Sequence, residues 1–177
     1  MRYLLQDTKL GVVFLLDTNT GKYGVVLDNE TMRSVPGALV PIGIDGVKTL
    51  GGYFYFMNTF AGALVRVKVD CETRKAASSF DIAAKILSIT DFFPLAKDGT
   101  AFIGGSFSNV VVEISPQCVA NVIARNLNSS NVAGATSTTL GKTREDRGTL
   151  YVSITGGYGF PVNGTFIERG KVVRVQV

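Results

Sequence analysis

The stretch Ile44–Asp70, IDGVKTLGGYFYFMNTFAGALVRVKVD, recurs in imperfect copies along the chain, and this repetition narrows the available folds more than any other feature. Within it, two short apolar runs, Tyr53–Phe56 and Ala63–Val69, follow an Asp45-Gly46 start and a Gly51-Gly52 turn. In the second run Leu64, Arg66 and Lys68 alternate with Val65, Val67 and Val69, the period of a strand with one buried face. Laid forward, the template meets ITDFFPLAKDGTAFIGGSFSNVVVEISPQ, so that Asp45 falls on Asp91, Gly52 on Gly99, Asn58 on Gly105, Val65 on Val112 and Cys71 on Cys118. Laid backward it meets YLLQDTKLGVVFLLD, with Asp7 on Asn58. A last copy is GTLYVSITGG followed by GKVVRVQV.

Copies of short strands at a spacing of about 45–60 residues predict an all-β chain built as a β-propeller. The blades are expected at about residues 3–27, 44–82, 90–125 and 135–177, within one partial domain. The first lacks its innermost strand and the last ends at its third, which makes about three and a half four-stranded blades. Such an open ring leaves an unpaired edge and an apolar face at each end. Three covers are expected: a missing N-terminal propeller half, lost by truncation; a second copy of the chain, as a homodimer; or a strained small closure.

Composition agrees with a packed β domain, with 46% hydrophobic residues, 18% charged and 20 glycines in 177 residues. The net charge of +4 comes from scattered Lys and Arg, paired only at Arg74-Lys75, with acids close by. No basic stripe with interleaved aromatics tracks a phosphate backbone, so nucleic acid is not expected as a partner. No apolar run reaches the roughly 20 residues of a membrane-spanning helix, and the start MRYLLQDTK lacks the apolar core of a signal peptide. Three sequons, at Asn29, Asn128 and Asn163, hint at a secretory origin for a full-length parent.

In a propeller, the loops joining second to third strands and those joining consecutive blades emerge on one face. Here the long loops all fall there: 28–43, 83–89, 126–134 and the insert 156–170. A rigid scaffold with one elaborated loop face is the usual layout of a binding surface, and a small-molecule substrate is the expected partner. Asp7 and Asn58 close second strands on this face, and Asp45 and Asp91 open innermost strands. These oxygens suit a substrate or a hard divalent cation such as Ca²⁺, with Asp45, Asn58 and Asp91 as the metal set. They equally suit turn formation, since Asp-Gly pairs and strand-end Asn often bond neighbouring backbone. Tyr158 and Phe160, with Phe166, form either an aromatic wall for a polycyclic substrate under a glycine-hinged lid, or a long hairpin packed on its own neighbours.

The chain has no histidine, so Ser-His-Asp and Cys-His arrangements are absent from it. Two cysteines, Cys71 and Cys118, are too few for a disulfide framework, and neighbouring blade corners usually lie too far apart to bridge.

The runs PIGIDGVKTLGGYFYFMNT, RNLNSSNVAGATSTTLGKTREDRGTLYVSITGG and PVNGTFIERGKVVRVQV resemble the C-terminal half of fungal SMP-30/gluconolactonase-like proteins, over essentially the whole chain. The resemblance implies half of a six-bladed ring. It also implies a role in secondary metabolism, where some members are hetero-Diels–Alder synthases of tropolone-sesquiterpenoid pathways. Other relatives of this fold hydrolyse lactones and phosphotriesters with a divalent metal held by Asn and Asp of this kind and an acid from the N-terminal half. Fungal relatives tend to carry Asn where this chain has Asp45. Two functional classes follow: a small-molecule enzyme working by pericyclic cyclisation or metal-assisted hydrolysis, and a non-catalytic binding module or inactive fragment.

Overall fold

A computed structural model describes residues 1–86, 92–124 and 130–177; apart from a 3₁₀ turn at Glu30–Met32, its regular structure is strand, paired antiparallel between neighbours. The residues divide into two units, Met1–Ile86 and Leu87–Val177. In the first, β1 (Arg2–Asp7), β2 (Val12–Asp17) and β3 (Tyr23–Asp28) form a three-stranded sheet. Next to it in sequence, β4 (Ile44–Leu50), β5 (Tyr53–Asn58), β6 (Ala63–Lys68) and β7 (Asp81–Lys85) form a four-stranded meander, the complete blade that the template predicts. In the second unit, β8 (Ala101–Gly105), β9 (Val110–Ile114) and β10 (Ala120–Ala124) form one sheet, and β11 (Ala135–Leu140), β12 (Thr149–Ile154) and β13 (Lys171–Gln176) another.

Alternation in the sequence becomes burial in each unit. In β5 and β6, register pairs Phe54 with Val67 and Phe56 with Val65, so four apolar side chains share one face. That face is sealed, none of the four more than 1% exposed, and it shares a core with Val13 and Leu27 of the neighbouring sheet and with Met32 of the 3₁₀ turn. Phe56 also meets Phe80 edge-on at 6.4 Å. The second unit repeats the scheme: Phe102, Val111 and Ala124 of one sheet pack with Leu150, Val152 and Ile154 of the other. Burial of this kind stabilises at about 25 cal/mol per Å² and is what holds the sheets face to face.

The turns have their own fastening. Asp70 Oδ1 accepts from the Thr73 N–H at 2.7 Å and the Thr73 hydroxyl at 2.8 Å. Asp146 Oδ1 accepts from the Thr143 hydroxyl and N–H, both at 2.7 Å, and Asp98 accepts from the Thr100 N–H at 2.9 Å. These bonds favour the ionised form. Asp70 and Asp98 are held below the ordinary carboxyl range chiefly by the backbone N–H of Thr73 and of Thr100, and Asp146 chiefly by the Thr143 hydroxyl. Cys71 and Cys118 are both exposed free thiols.

Two outcomes follow from this packing. Phe56→Ala removes a fully buried ring and is expected to cost about 3–5 kcal/mol in urea denaturation, whereas Tyr158→Ala, at an 82% exposed position, is expected to cost less than about 0.5 kcal/mol. The three lowered carboxyls contribute stability that is complete above the unfolded carboxyl pKa and is lost as pH falls through the folded values. Asp146→Asn should therefore flatten the acid limb of a stability-against-pH curve while leaving the relative response at neutral pH nearly level.

Candidate functional site

The first unit brings three of the expected residues to one corner. Asp7 ends β1, Asp45 stands one residue into β4, and Asn58 ends β5 opposite Ile44. Two bonds tie the corner across the sheets: Gln6 Nε2 donates to Asp45 Oδ1 at 2.9 Å, and the Gly43 N–H donates to the Thr8 carbonyl at 2.9 Å.

Each of the three also serves the backbone around it. Asp7 Oδ1 accepts from the N–H groups of Lys9 at 3.0 Å and Leu10 at 2.8 Å, fixing the turn into β2. Asp45 Oδ1 accepts from the Gly46 N–H at 2.8 Å. Asn58 is only 2% exposed; its Nδ2 donates to the carbonyls of Thr31 at 3.0 Å and Arg33 at 2.7 Å, and its Oδ1 accepts from the Ala61 N–H at 3.2 Å. One buried carboxamide thus staples the loop after β3 onto the end of β5. Asp91 lies outside the described residues.

As a cation site this corner is short of donors. No group of three or more His, Cys, Asp or Glu side chains converges in a metal-binding arrangement among the described residues. Ca²⁺ takes about six to eight oxygens, while the corner offers two carboxylates, each with Oδ1 bonded to backbone, and a carboxamide whose Oδ1 accepts from the Ala61 N–H. Among the described residues, this corner does not by itself make up such a shell.

The second unit carries the aromatic candidates. The insert between β12 and β13 is pinned at its base: Gly156 donates to the Ala133 carbonyl at 3.0 Å and accepts from the Glu168 N–H at 2.8 Å. At its tip Val162 and Phe166 exchange two backbone bonds, at 3.1 and 2.9 Å, and Val162 is buried. Gly156 and Gly157 have φ of 73° and 82°, and a Cβ at Gly156 would strike the Glu168 carbonyl. Their glycine character is spent on a folded turn held by these bonds.

The segment is a hydrogen-bonded hairpin that turns aromatics outward. Tyr158 is 82% exposed and Phe160 55%, with Phe166 and Ile167 also exposed. Phe160 meets Phe107 edge-on with ring centroids 5.2 Å apart. Phe107 sits between β8 and β9, and Asn109 behind it accepts from the Gly134 N–H at 2.9 Å. Phe107 was not among the expected site residues. Its signal lay in the repeat, which sets Ser106-Phe107-Ser108 on Thr59-Phe60-Ala61.

No family model matches the chain. It is 27% identical over 157 residues to the proposed hetero-Diels-Alderase asR5 of Sarocladium schorii, covering 81% of this chain and 39% of that protein. Among solved structures, a luciferin-regenerating enzyme superposes with a TM-score of 0.64 at 14% identity, covering 94% of this chain and 51% of that one. The calcium-binding protein regucalcin from Agrobacterium tumefaciens gives 0.55 at 16%, covering 83% and 45%. A gluconolactonase from Xanthomonas campestris gives 0.53 at 10%, covering 80% and 40%.

The chain has the β-propeller fold of these proteins. It spans about half the length of these proteins or less. The resemblance read in the sequence therefore holds for the fold, and the similarity to asR5 is consistent with it. A fold shared by enzymes and binding proteins does not choose a reaction, which has to be argued from the site.

The staple formed by Asn58 is open to test. Asn58→Asp keeps an oxygen but removes the two N–H donors, leaving two carbonyls facing a new charge. We expect a loss of about 1–3 kcal/mol or more in urea denaturation, with faster amide exchange over residues 29–35. Unchanged stability together with a new Ca²⁺ affinity would instead show a ligand position.

Proposed function

We propose that this SMP-30/gluconolactonase-like propeller binds an apolar, polycyclic or terpenoid small molecule and preorganises it for pericyclic cyclisation, as a protein of fungal secondary metabolism. The observation that carries the reading is the insert. Its backbone is bonded at base and tip, yet Tyr158, Phe160 and Phe166 point outward with Phe107 braced against Phe160. Holding such rings exposed has a solvation cost that an apolar ligand removes. Kinship with asR5 supports the same direction.

The chemistry asks little of the chain beyond placement. In a hetero-Diels–Alder reaction a conjugated carbonyl and an alkene form one C–C and one C–O bond as π bonds are consumed; nothing leaves and no proton is transferred. A site therefore contributes by holding the partners at reacting distance and by hydrogen-bonding the heterodiene oxygen, the sort of help that needs no histidine. The exposed Tyr158 hydroxyl is the donor at hand, since the Ser106 hydroxyl beside Phe107 already donates to the Ala135 carbonyl at 2.9 Å. Metal-assisted lactone hydrolysis is the second enzymatic reading, and the donor shortage at Asp7, Asp45 and Asn58 ranks it lower.

The assay is cycloaddition of a conjugated-carbonyl heterodiene with a sesquiterpene alkene, followed by chiral chromatography. Faster formation of one stereoisomer is expected, with kcat/KM falling about tenfold in Phe160→Ala and in Phe107→Ala, the size of an aromatic contact of 1–1.5 kcal/mol. An unchanged rate and product ratio, or lactone hydrolysis on adding Ca²⁺, would overturn the reading. Ligand binding without any turnover would leave a binding module in its place.

A further inference from the structure

Behind the Asn58 staple, the first unit holds a cleft that the function above does not use. One wall is the segment 30–36, fastened at three points. Met32 is sealed in the core, the Asn58 carboxamide holds the carbonyls of Thr31 and Arg33, and the Arg33 guanidinium is bonded to Asp28 and to the carbonyls of Leu10 and Gly11. The other wall is the outer part of the β4–β7 blade, ending in Ile82 and Lys85 of β7. Between them is a space of about 340 Å³. Walls held by core packing and backbone bonds leave a pocket formed before any ligand arrives.

The repeat explains why the space is there. The turn after β5 and the start of β6 carry Ala61 and Ala63, where the copy before has Leu10 and Val12 and the copy after has Ser108 and Val110. Two small side chains thus make the floor. Ala63 stands opposite Lys85 in the register, which sets the lysine beside that floor. Val35 and Ile82 flank it from the two walls, 37% and 49% exposed.

Charge on the two walls is opposite and unspent. Glu30 lines one side and Lys85 the other, both exposed. Among the described residues the ion pairs are Arg2–Asp17, Arg33–Asp28 and Lys171–Glu168, so Glu30 and Lys85 pair neither with each other nor with anything else. Arg33, the other charged residue of the lining, is already matched by Asp28. What remains is one acid and one cation on opposite walls of an apolar floor, with no aromatic side chain in the lining.

We propose that this cleft binds a free aliphatic α-amino acid of about the size of leucine. Its ammonium group meets Glu30 and its carboxylate meets Lys85. The two charged groups of such a zwitterion sit on one carbon, and a hydrogen bond of about 2.8 Å at each end lets them bridge walls too far apart for a direct ion pair. The branched side chain lies on Ala61 and Ala63 between Val35 and Ile82, removing apolar surface from water. An amine or an acid alone leaves one wall unmatched, which is the source of the discrimination.

Isothermal titration calorimetry of the whole 177-residue chain tests this directly. L-leucine should bind saturably at one site, at least tenfold tighter than L-leucinamide, which lacks the carboxylate, or isocaproate, which lacks the amine. Lys85→Gln should weaken leucine about tenfold and leave leucinamide unchanged, whereas Glu30→Gln should weaken leucine and leave isocaproate unchanged. Both positions are exposed, so neither change disturbs the core. No saturation at millimolar leucine, or equal affinity for the three compounds, would overturn the proposal without any variant having to fold. So would tighter binding of a leucine-containing peptide than of free leucine, since the occupant would then be polypeptide.

Discussion

Face-to-face burial of twisted sheets is the constraint from which the rest of each unit follows. Once Phe54, Phe56, Val65 and Val67 must be removed from water, the sheet that carries them needs another apolar sheet against it. Strands alternate, so polar residues are then driven to turns and ends. The turn carboxylates Asp70, Asp98 and Asp146 and the strand-end groups Asp7 and Asn58 are the visible result, each bonded to nearby backbone. Much of the polar chemistry that looks functional in a list of residues is here the fastening of the scaffold.

The distinction changes where function is sought. An Asn that donates twice to carbonyls while almost fully buried has little left to offer a ligand. An exposed aromatic on a hydrogen-bonded hairpin is the reverse: its backbone is satisfied and its side chain is idle. The insert after β12 therefore stands out from the other loops, and the Phe107–Phe160 contact joins it to a second loop of the same unit.

Much of this was legible beforehand. The repeat and its alternation located the hairpins, and the complete blade expected from residue 44 ends with β7 at Lys85, a few residues beyond the expected Ile82. Side-chain commitments were not legible. Nothing in the residue type of Asn58 says whether its amide faces a ligand or the carbonyls of Thr31 and Arg33, because that depends on how the loop after β3 folds back. Nor does Gly156-Gly157-Tyr158-Gly159 announce a fixed turn, since the same glycines would serve a hinge; the close approach of the Glu168 carbonyl decides it. Phe107 was hidden for a simpler reason, as a lone aromatic in a short loop whose partner lies over fifty residues away.

The central claim is that ligands meet the aromatic insert and not the carboxylate corner. Amide hydrogen exchange on the intact chain, with and without an apolar polycyclic ligand and with and without Ca²⁺, tests it most directly. The account predicts that the ligand slows exchange over residues 156–170 and around Phe107, and that Ca²⁺ alone changes nothing near Asp7, Asp45 and Asn58. Calcium-dependent protection at that corner, with an insert indifferent to the apolar ligand, would contradict it.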